Sequence, residues 1–261
     1  MVNTETLEDL YPGRRAGLEG IIRYHAFDTM FYRTNNWIHS LRVRWLVEEL
    51  LPLAKKHFKH LDTKRVICLA LVHDDAEMIT GDIQAGHKAT MSKSALAKVH
   101  DNERQAIAIL RKRHPITIEG YAYGDLLAEI LEKKTLEAQL VSYADKIDGY
   151  CESLHEIHAG NIALLRSVLF YTAIFTQAEK KFPKLKPIFG DTHSPFTDLQ
   201  SYLQEVYVKG EKYKEFSKPF TVRSLKRPSQ FAFYDRWRVM TVERGGRYGL
   251  NSLLKQKEFW R

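Results

Sequence analysis

The chain has 261 residues, a formal net charge of +8 and a pI near 9.3. Its composition, 44% hydrophobic and 28% charged, excludes a wholly disordered chain and suits one large domain, or one domain with an appendage. The most apolar stretch, residues 66–72, is far shorter than the roughly 20 residues that span a bilayer.

The first residues carry neither a basic segment nor the apolar core of a secretory signal. Only two cysteines occur, Cys68 and Cys151, so no disulfide framework is expected, and a reducing cytoplasm is the simplest compartment. No membrane partner is expected.

Apolar residues recur at helical spacing through most of the first two hundred positions. A first helix is expected over 36–58, with Pro52 ending or kinking it. Asp62 is placed to cap the next, which should run to about Met78 before Thr80, Gly81 and Asp82 break it. A loop over 83–90 follows. Helical patterns resume over 92–112, 124–133, 135–158 and 161–181. Residues 182–195 read as a loop, and a helix is expected over 196–208.

The chain then changes character. Residues 209–261 hold fourteen Lys/Arg against five Asp/Glu, a net of +9, which leaves the rest close to neutral. Residues 231–242 partly alternate and are rich in aromatic and branched side chains, so a short strand or hairpin turning at Gly245 and Gly246 is expected. The chain divides on this basis into a domain over 1–208 and a basic, aromatic extension over 209–261.

The chemistry concentrates in His73, Asp74, Asp75, Ala76, Glu77, Met78, Ile79, Thr80, Gly81 and Asp82. An adjacent His-Asp pair on a helix offers one ion an imidazole nitrogen and a carboxylate oxygen. Glu77 lies four residues after His73 and shares its face. Asp82 follows a glycine, from where a loop can swing its carboxylate back. His39, on the preceding helix, and Asp145, on a later one, would complete a shell of two imidazoles and two carboxylates. Such a set suits one Mn, Fe, Co, Ni or Zn ion better than Ca or Mg. A carboxylate at a helix C-terminus, as Glu77 is read here, is unfavourable without a compensating cation.

The ordered series His, His-Asp, Glu, Gly-Asp and distant Asp resembles the HD-domain superfamily of phosphohydrolases, and within it the 5′-deoxynucleotidases. Their His-Asp-x-x-Glu-x-x-x-x-Asp segment matches His73, Asp74, Glu77 and Asp82. Arg33, Thr34, Asn35 and Asn36 before His39 and Ser40 match a stretch before their first histidine. Glu137, Ala138 and Val141 before Asp145 match another. The resemblance covers about 22–154.

It implies an all-α, HD-type helical bundle with a short mixed or β-containing C-terminal extension. It further implies a metal-dependent enzyme that removes phosphate from (deoxy)nucleoside 5′-monophosphates. His39, His73, Asp74 and Asp145 would be the ligands. Glu77 would position or deprotonate water, and Asp82 would protonate the leaving group or hold the sugar. Arg33 and Lys88 would contact phosphate, with Lys93 a further cation nearby in sequence.

Other readings compete. The same scaffold could hydrolyse a nucleoside triphosphate or a cyclic nucleotide, although a two-metal phosphodiesterase would need more histidines in register. A non-enzymatic HD module binding nucleic acid or protein through its tail would not need four ligands. The basic tail suits nucleic acid, anionic lipid or an acidic partner, or is a solvated basic surface. Phe231, Phe233, Tyr234 and Trp237 favour a homo-oligomer such as a dimer, because dense exposed aromatics are uncommon on a monomer. His155 and His158, at i, i+3 spacing, read as packed or surface residues rather than a second metal pair, and His87 as packed or solvent-facing.

Overall fold

The computed structural model describes residues 10–191, 194–197 and 232–245. Among these the fold is all-α apart from one small hairpin. In chain order the helices are α1 (Arg14–Glu19), α2 (Asn36–His57), α3 (Thr63–Val72), α4 (Glu77–Thr80), α5 (Ala85–Lys88) and α6 (Lys93–Arg113). The hairpin β1 (Thr117–Ile118) and β2 (Tyr121–Ala122) follows, then α7 (Tyr123–Glu132), α8 (Leu136–His158), α9 (Leu165–Phe175), α10 (Ala178–Lys181), α11 (Lys186–Phe189) and α12 (Ala232–Gly245). None of the described helices is long and apolar enough to cross a membrane. Both cysteines are free and buried. The helix expected over 196–208 lies, from residue 198 on, outside the described residues.

The chain forms two compact units. The first comprises Met1–Ala26, Arg33–Glu48 and His60–Ala144, the second Phe27–Tyr32, Glu49–Lys59 and Asp145–Arg261. Helices α2 and α8 contribute residues to both. α2 continues through Pro52 without ending there.

In the first unit, Leu18, Trp37 and Leu41 form a buried cluster with Ile38, Trp45 and Met78 packed on it. α3 is capped by Asp62, whose carboxylate accepts from the Arg65 amide at 3.1 Å and from Tyr121 Oη at 2.6 Å. The hairpin pairs Thr117 with Ala122 and Ile118 with Tyr121. Its turn residues Glu119 and Gly120 take φ values of 52° and 92°, as a two-residue type I′ turn requires. Two residues per strand are too few to leave a readable alternation, so the sequence pattern does not announce it.

The helix expected to run from 63 to about 78 is instead broken. α3 stops at Val72, residues 73–76 form tight turns, and α4 begins at Glu77. The amides of Asp75, Glu77 and Met78 reach back only three residues, to the carbonyls of Val72, Asp74 and Asp75 at 3.0, 2.9 and 3.2 Å. Glu77 therefore opens a helical turn rather than closing a long helix, which removes the unfavourable dipole argument above.

A buried ion pair explains the break. Arg14 and Asp75 are both fully buried, and the guanidinium grips the carboxylate through Nε and Nη2 at 2.7 Å each. Arg14 Nη2 also donates to the Leu71 carbonyl at 2.6 Å, and Tyr123 Oη donates to Asp75 at 2.8 Å. Burial disfavours the Arg14 charge, but Asp75 more than offsets it and raises the guanidinium pKa. Burial beside Asp75 likewise pushes Tyr11 up to about 12.

In the second unit, α8 is buried on nearly every side, with Ile147, Asp148, Tyr150, Cys151, Glu152, Leu154, Glu156 and Ile157 all enclosed. Tyr150 stacks against Phe233 and meets Phe175 edge-on. Glu156 accepts from the Phe31 and Tyr32 amides and from Asn161 Nδ2.

The strand expected over 231–242 is a helix where it is described. Phe233, Trp237, Met240 and Thr241 recur at three and four residues, and all are buried. Aromatic and branched residues raise strand propensity, but over so short a run burial along one helix face decides. Phe233, Tyr234 and Trp237 thus lie in the interior of their unit. They do not form the exposed aromatic surface from which association was expected.

The Arg14→Ala variant should lose about 3–5 kcal/mol of stability, since it leaves the Asp75 carboxylate buried and unpaired. Urea denaturation of the metal-free protein measures this; a loss below about 1 kcal/mol would mean that the pair contributes only what a surface pair does.

Candidate metal centre and active site

Three of the expected ligands converge. His39, on α2, is buried; His73 caps the C-terminus of α3; Asp74 lies in the turn after it. His39 Nε2 and His73 Nε2 are 3.2 Å apart. Asp74 places one oxygen 3.5 Å from His39 Nε2 and the other 3.4 Å from His73 Nε2. His73 Nδ1 lies 2.8 Å from the Ala70 carbonyl. A carbonyl only accepts, so Nδ1 carries the hydrogen and the Nε2 of a neutral ring turns its lone pair inward.

This arrangement fits a cation. Donor atoms about 2.1 Å from a common ion stand roughly 3.0 Å apart at right angles and 3.4 Å apart at the tetrahedral angle. The imidazole nitrogens, 3.2 Å apart, have that spacing, and each lies 3.4 or 3.5 Å from a different oxygen of Asp74. A cation shared by the three would accept both imidazole lone pairs and neutralise the carboxylate. Among the described residues these three form the one group whose donor atoms all lie within 4.8 Å of one another. The broken helix is what permits it. Consecutive residues on a regular helix point about 100° apart, whereas the turns at 73–76 let His73 and Asp74 face one point.

Glu77 and Asp82 stand beside this group. Glu77 accepts from Asn36 Nδ2 at 2.5 Å. Burial, then the charges of Asp74 and Asp82, hold its carboxyl well above the usual range. Asp82 is raised as well, first by burial and then by Asp74, with Arg23, His25 and His39 pulling it down. Gly81, at φ 73°, ends α4 in the left-handed region and lets the chain turn toward Asp82.

Lys88, on α5, binds Glu103 at 2.7 Å, and its charge also reaches Glu77. Arg33 is half-buried, next to the segment where Arg23 donates to the Thr34 carbonyl at 3.0 Å and Ile22 pairs with Asn35. Lys93 is exposed at the start of α6. Asp145 belongs to the second unit, where its carboxylate meets Lys146 Nζ at 2.6 Å. His155 and His158 also lie there, packed against Tyr234, and His155 Nδ1 is 2.6 Å from Tyr234 Oη. His87 is exposed.

Sequence reasoning missed Arg14, Asn36 as the partner of Glu77, and Arg23. Asn36 sits inside a quoted motif and could have been found there. Arg14 is 61 positions from Asp75, and nothing local marks it.

The cluster of His39, His73 and Asp74 could hold a metal ion. The order in which the chain delivers it, His39 and then His73 with Asp74, is that of the HD-type metal-dependent phosphohydrolases. Within that class, residues 16–180 match the sequence profile of the YfbR-like 5′-deoxynucleotidases, and the chain belongs to this family. The family implies a divalent metal.

The chain is 29% identical over 169 residues to a 5′-deoxynucleotidase of Vibrio vulnificus, covering 62% of this chain and 80% of that one. It is 28% identical over 127 residues to a 5′-deoxynucleotidase of Cronobacter sakazakii and 27% identical over 127 residues to one of Escherichia coli K12. In both cases the match covers 47% of this chain and 61% of the relative, which is less than two thirds of its length. A conserved hypothetical protein from Pyrococcus furiosus superposes with a TM-score of 0.44 at 24% identity, over 60% of this chain and 93% of that one.

The raised carboxyl of Glu77 sets the sign of a pH effect. Between the ordinary carboxylate range and its raised value, the folded state binds the proton more tightly than the unfolded state. Stability therefore falls as pH rises through that window. In chelator-treated protein, Glu77→Gln should raise the melting temperature at neutral pH, and the gain should disappear below about pH 4, where both side chains are neutral. A pH-independent difference in thermal melts would show that Glu77 is not held in this way.

Proposed function

We propose that the enzyme, a phosphoric monoester hydrolase, removes phosphate from deoxynucleoside 5′-monophosphates, as the names of its relatives state for them. The triangle of His39, His73 and Asp74 beside the raised carboxyl of Glu77 carries this reading. Asp145 is proposed as the fourth ligand, on the resemblance of its segment. The donor set favours a transition metal such as Mn, Co, Fe, Ni or Zn over Mg or Ca.

A divalent ion, which His39, His73 and Asp74 would hold, would lower the pKa of a bound water towards about 7 and polarise a phosphoryl oxygen. Glu77, steadied by Asn36, accepts a proton from the attacking water. Water adds to phosphorus and the P–O5′ bond breaks. Asp82, also raised, gives a proton to the departing O5′ of the nucleoside. Lys88 and Arg33 are proposed to balance the phosphate charge, and Arg23, whose charge reaches Asp82, joins them at the leaving-group side.

The free, buried thiols of Cys68 and Cys151 are in keeping with a cytoplasmic setting. Association through the extension, with a second copy or an anionic partner, rests on its net charge and on the exposed Val239 and Val242 of α12.

Purified protein loaded with Co or Mn should release phosphate from deoxynucleoside 5′-monophosphates faster than from nucleoside triphosphates or cyclic nucleotides. His73→Ala and Asp74→Ala should lose both the ion and turnover. Glu77→Ala should keep the ion and lose roughly 10²-fold or more in kcat. Full metal occupancy in the first two variants, or wild-type turnover in the third, would overturn the assignment; preference for a triphosphate would move the substrate but not the site.

A further inference from the structure

We propose that α12 clamps α8, and that Trp237 is a positioning residue for Asp145. The inference rests on the reading of Asp145 as a metal ligand. Residues 232–245 lie outside 16–180, the span that matches the family.

The central contact is a hydrogen bond from Trp237 Nε1 to Asp148 Oδ1 at 2.7 Å, with both residues buried. Asp148 follows Asp145 by three positions on α8, which places the two side chains one turn apart on neighbouring faces. The bond joins a buried indole to a buried carboxylate and so ties the two helices together at this turn.

Contacts on either side fix the rest of α12. Phe233 stacks on Tyr150 with ring centroids 5.6 Å apart, and Tyr234 Oη meets His155 Nδ1 at 2.6 Å. Arg236 and Arg244 both bind Glu49, at 2.5 and 2.8 Å.

The same turn of α8 is also held by α9. A Cβ added at Gly149 would stand 2.5 Å from Cζ of Tyr171, so that ring would have to shift to admit it. Tyr171 therefore presses on the backbone one residue from Asp148, while Trp237 holds the Asp148 carboxylate. α8 is pinned by two helices at the turn following Asp145. Ligand placement tolerates only about 0.5 Å of error, so releasing one contact should loosen the ion without unfolding the unit.

The test uses the full chain and Co(II), followed by calorimetry and visible absorption, with folding checked by circular dichroism. Trp237→Phe keeps a ring but removes the donor. It should weaken Co(II) binding about 10-fold, as loss of a ligand-orienting partner does. It should also change the Co(II) absorption band and lower kcat with little change in KM. Asp148→Leu should do the same, and provides a second route if Trp237→Phe fails to fold. Asp148→Asn, which keeps an oxygen acceptor for the indole, should bind Co(II) as the native chain does. Ile188→Val, a core change elsewhere in the unit, should lower the melting temperature without altering the Co(II) spectrum.

Native Co(II) binding in folded Trp237→Phe and Asp148→Leu would overturn the clamp, as would an equal loss in Ile188→Val. Asp145→Ala, measured alongside, separates the two readings. If it loses the ion while Trp237→Phe does not, the ligand stands and the clamp falls. If it binds Co(II) fully, the ligand assignment fails and takes the clamp with it.

Discussion

The buried pair of Arg14 and Asp75 is the constraint on which the turn carrying His73 and Asp74 depends. A carboxylate enclosed directly after His73 and Asp74 can exist only if something answers its charge, and the guanidinium of Arg14 with the hydroxyl of Tyr123 does so. Arg14 also takes up the Leu71 carbonyl, one of those left without a helical partner where α3 stops. One ion pair thus supports both the end of α3 and the turn that follows it.

The centre itself stores unfavourable electrostatics. Two imidazoles and a carboxylate share one small space, and Asp74 raises the pKa of both Glu77 and Asp82, with Asp82 adding to the rise of Glu77. A fold optimised for stability alone would not gather them. Such a cluster persists because the surrounding packing holds it, and a bound divalent ion turns the same repulsion into binding energy.

The second unit treats polar groups differently. Along α8 the acidic residues Asp148 and Glu156 are enclosed and answered one by one, by an indole, two backbone amides and an asparagine. Polar groups answered in this way give the helix a single seat, which an apolar helix able to slide by a fraction of a turn would not have. α12 supplies part of that seat from near the far end of the chain.

The sequence alone determined the helical class, the Asp62 cap of α3, the limits of α2, α6 and α8 to within a residue or two, and the convergence of His39, His73 and Asp74. Each rests on short-range spacing or on a motif, and both survive tertiary packing. Tertiary structure decided what depends on distant partners. The break at 73–76 follows from an arginine 61 positions away, whereas the local pattern alone favours an unbroken helix to Met78. The aromatic run at 231–242 satisfies a strand and a helix about equally, and only burial along one face selects the helix. The pKa values of Glu77 and Asp82 rise because folding removes water and gathers like charges, and no local feature of either residue carries that information.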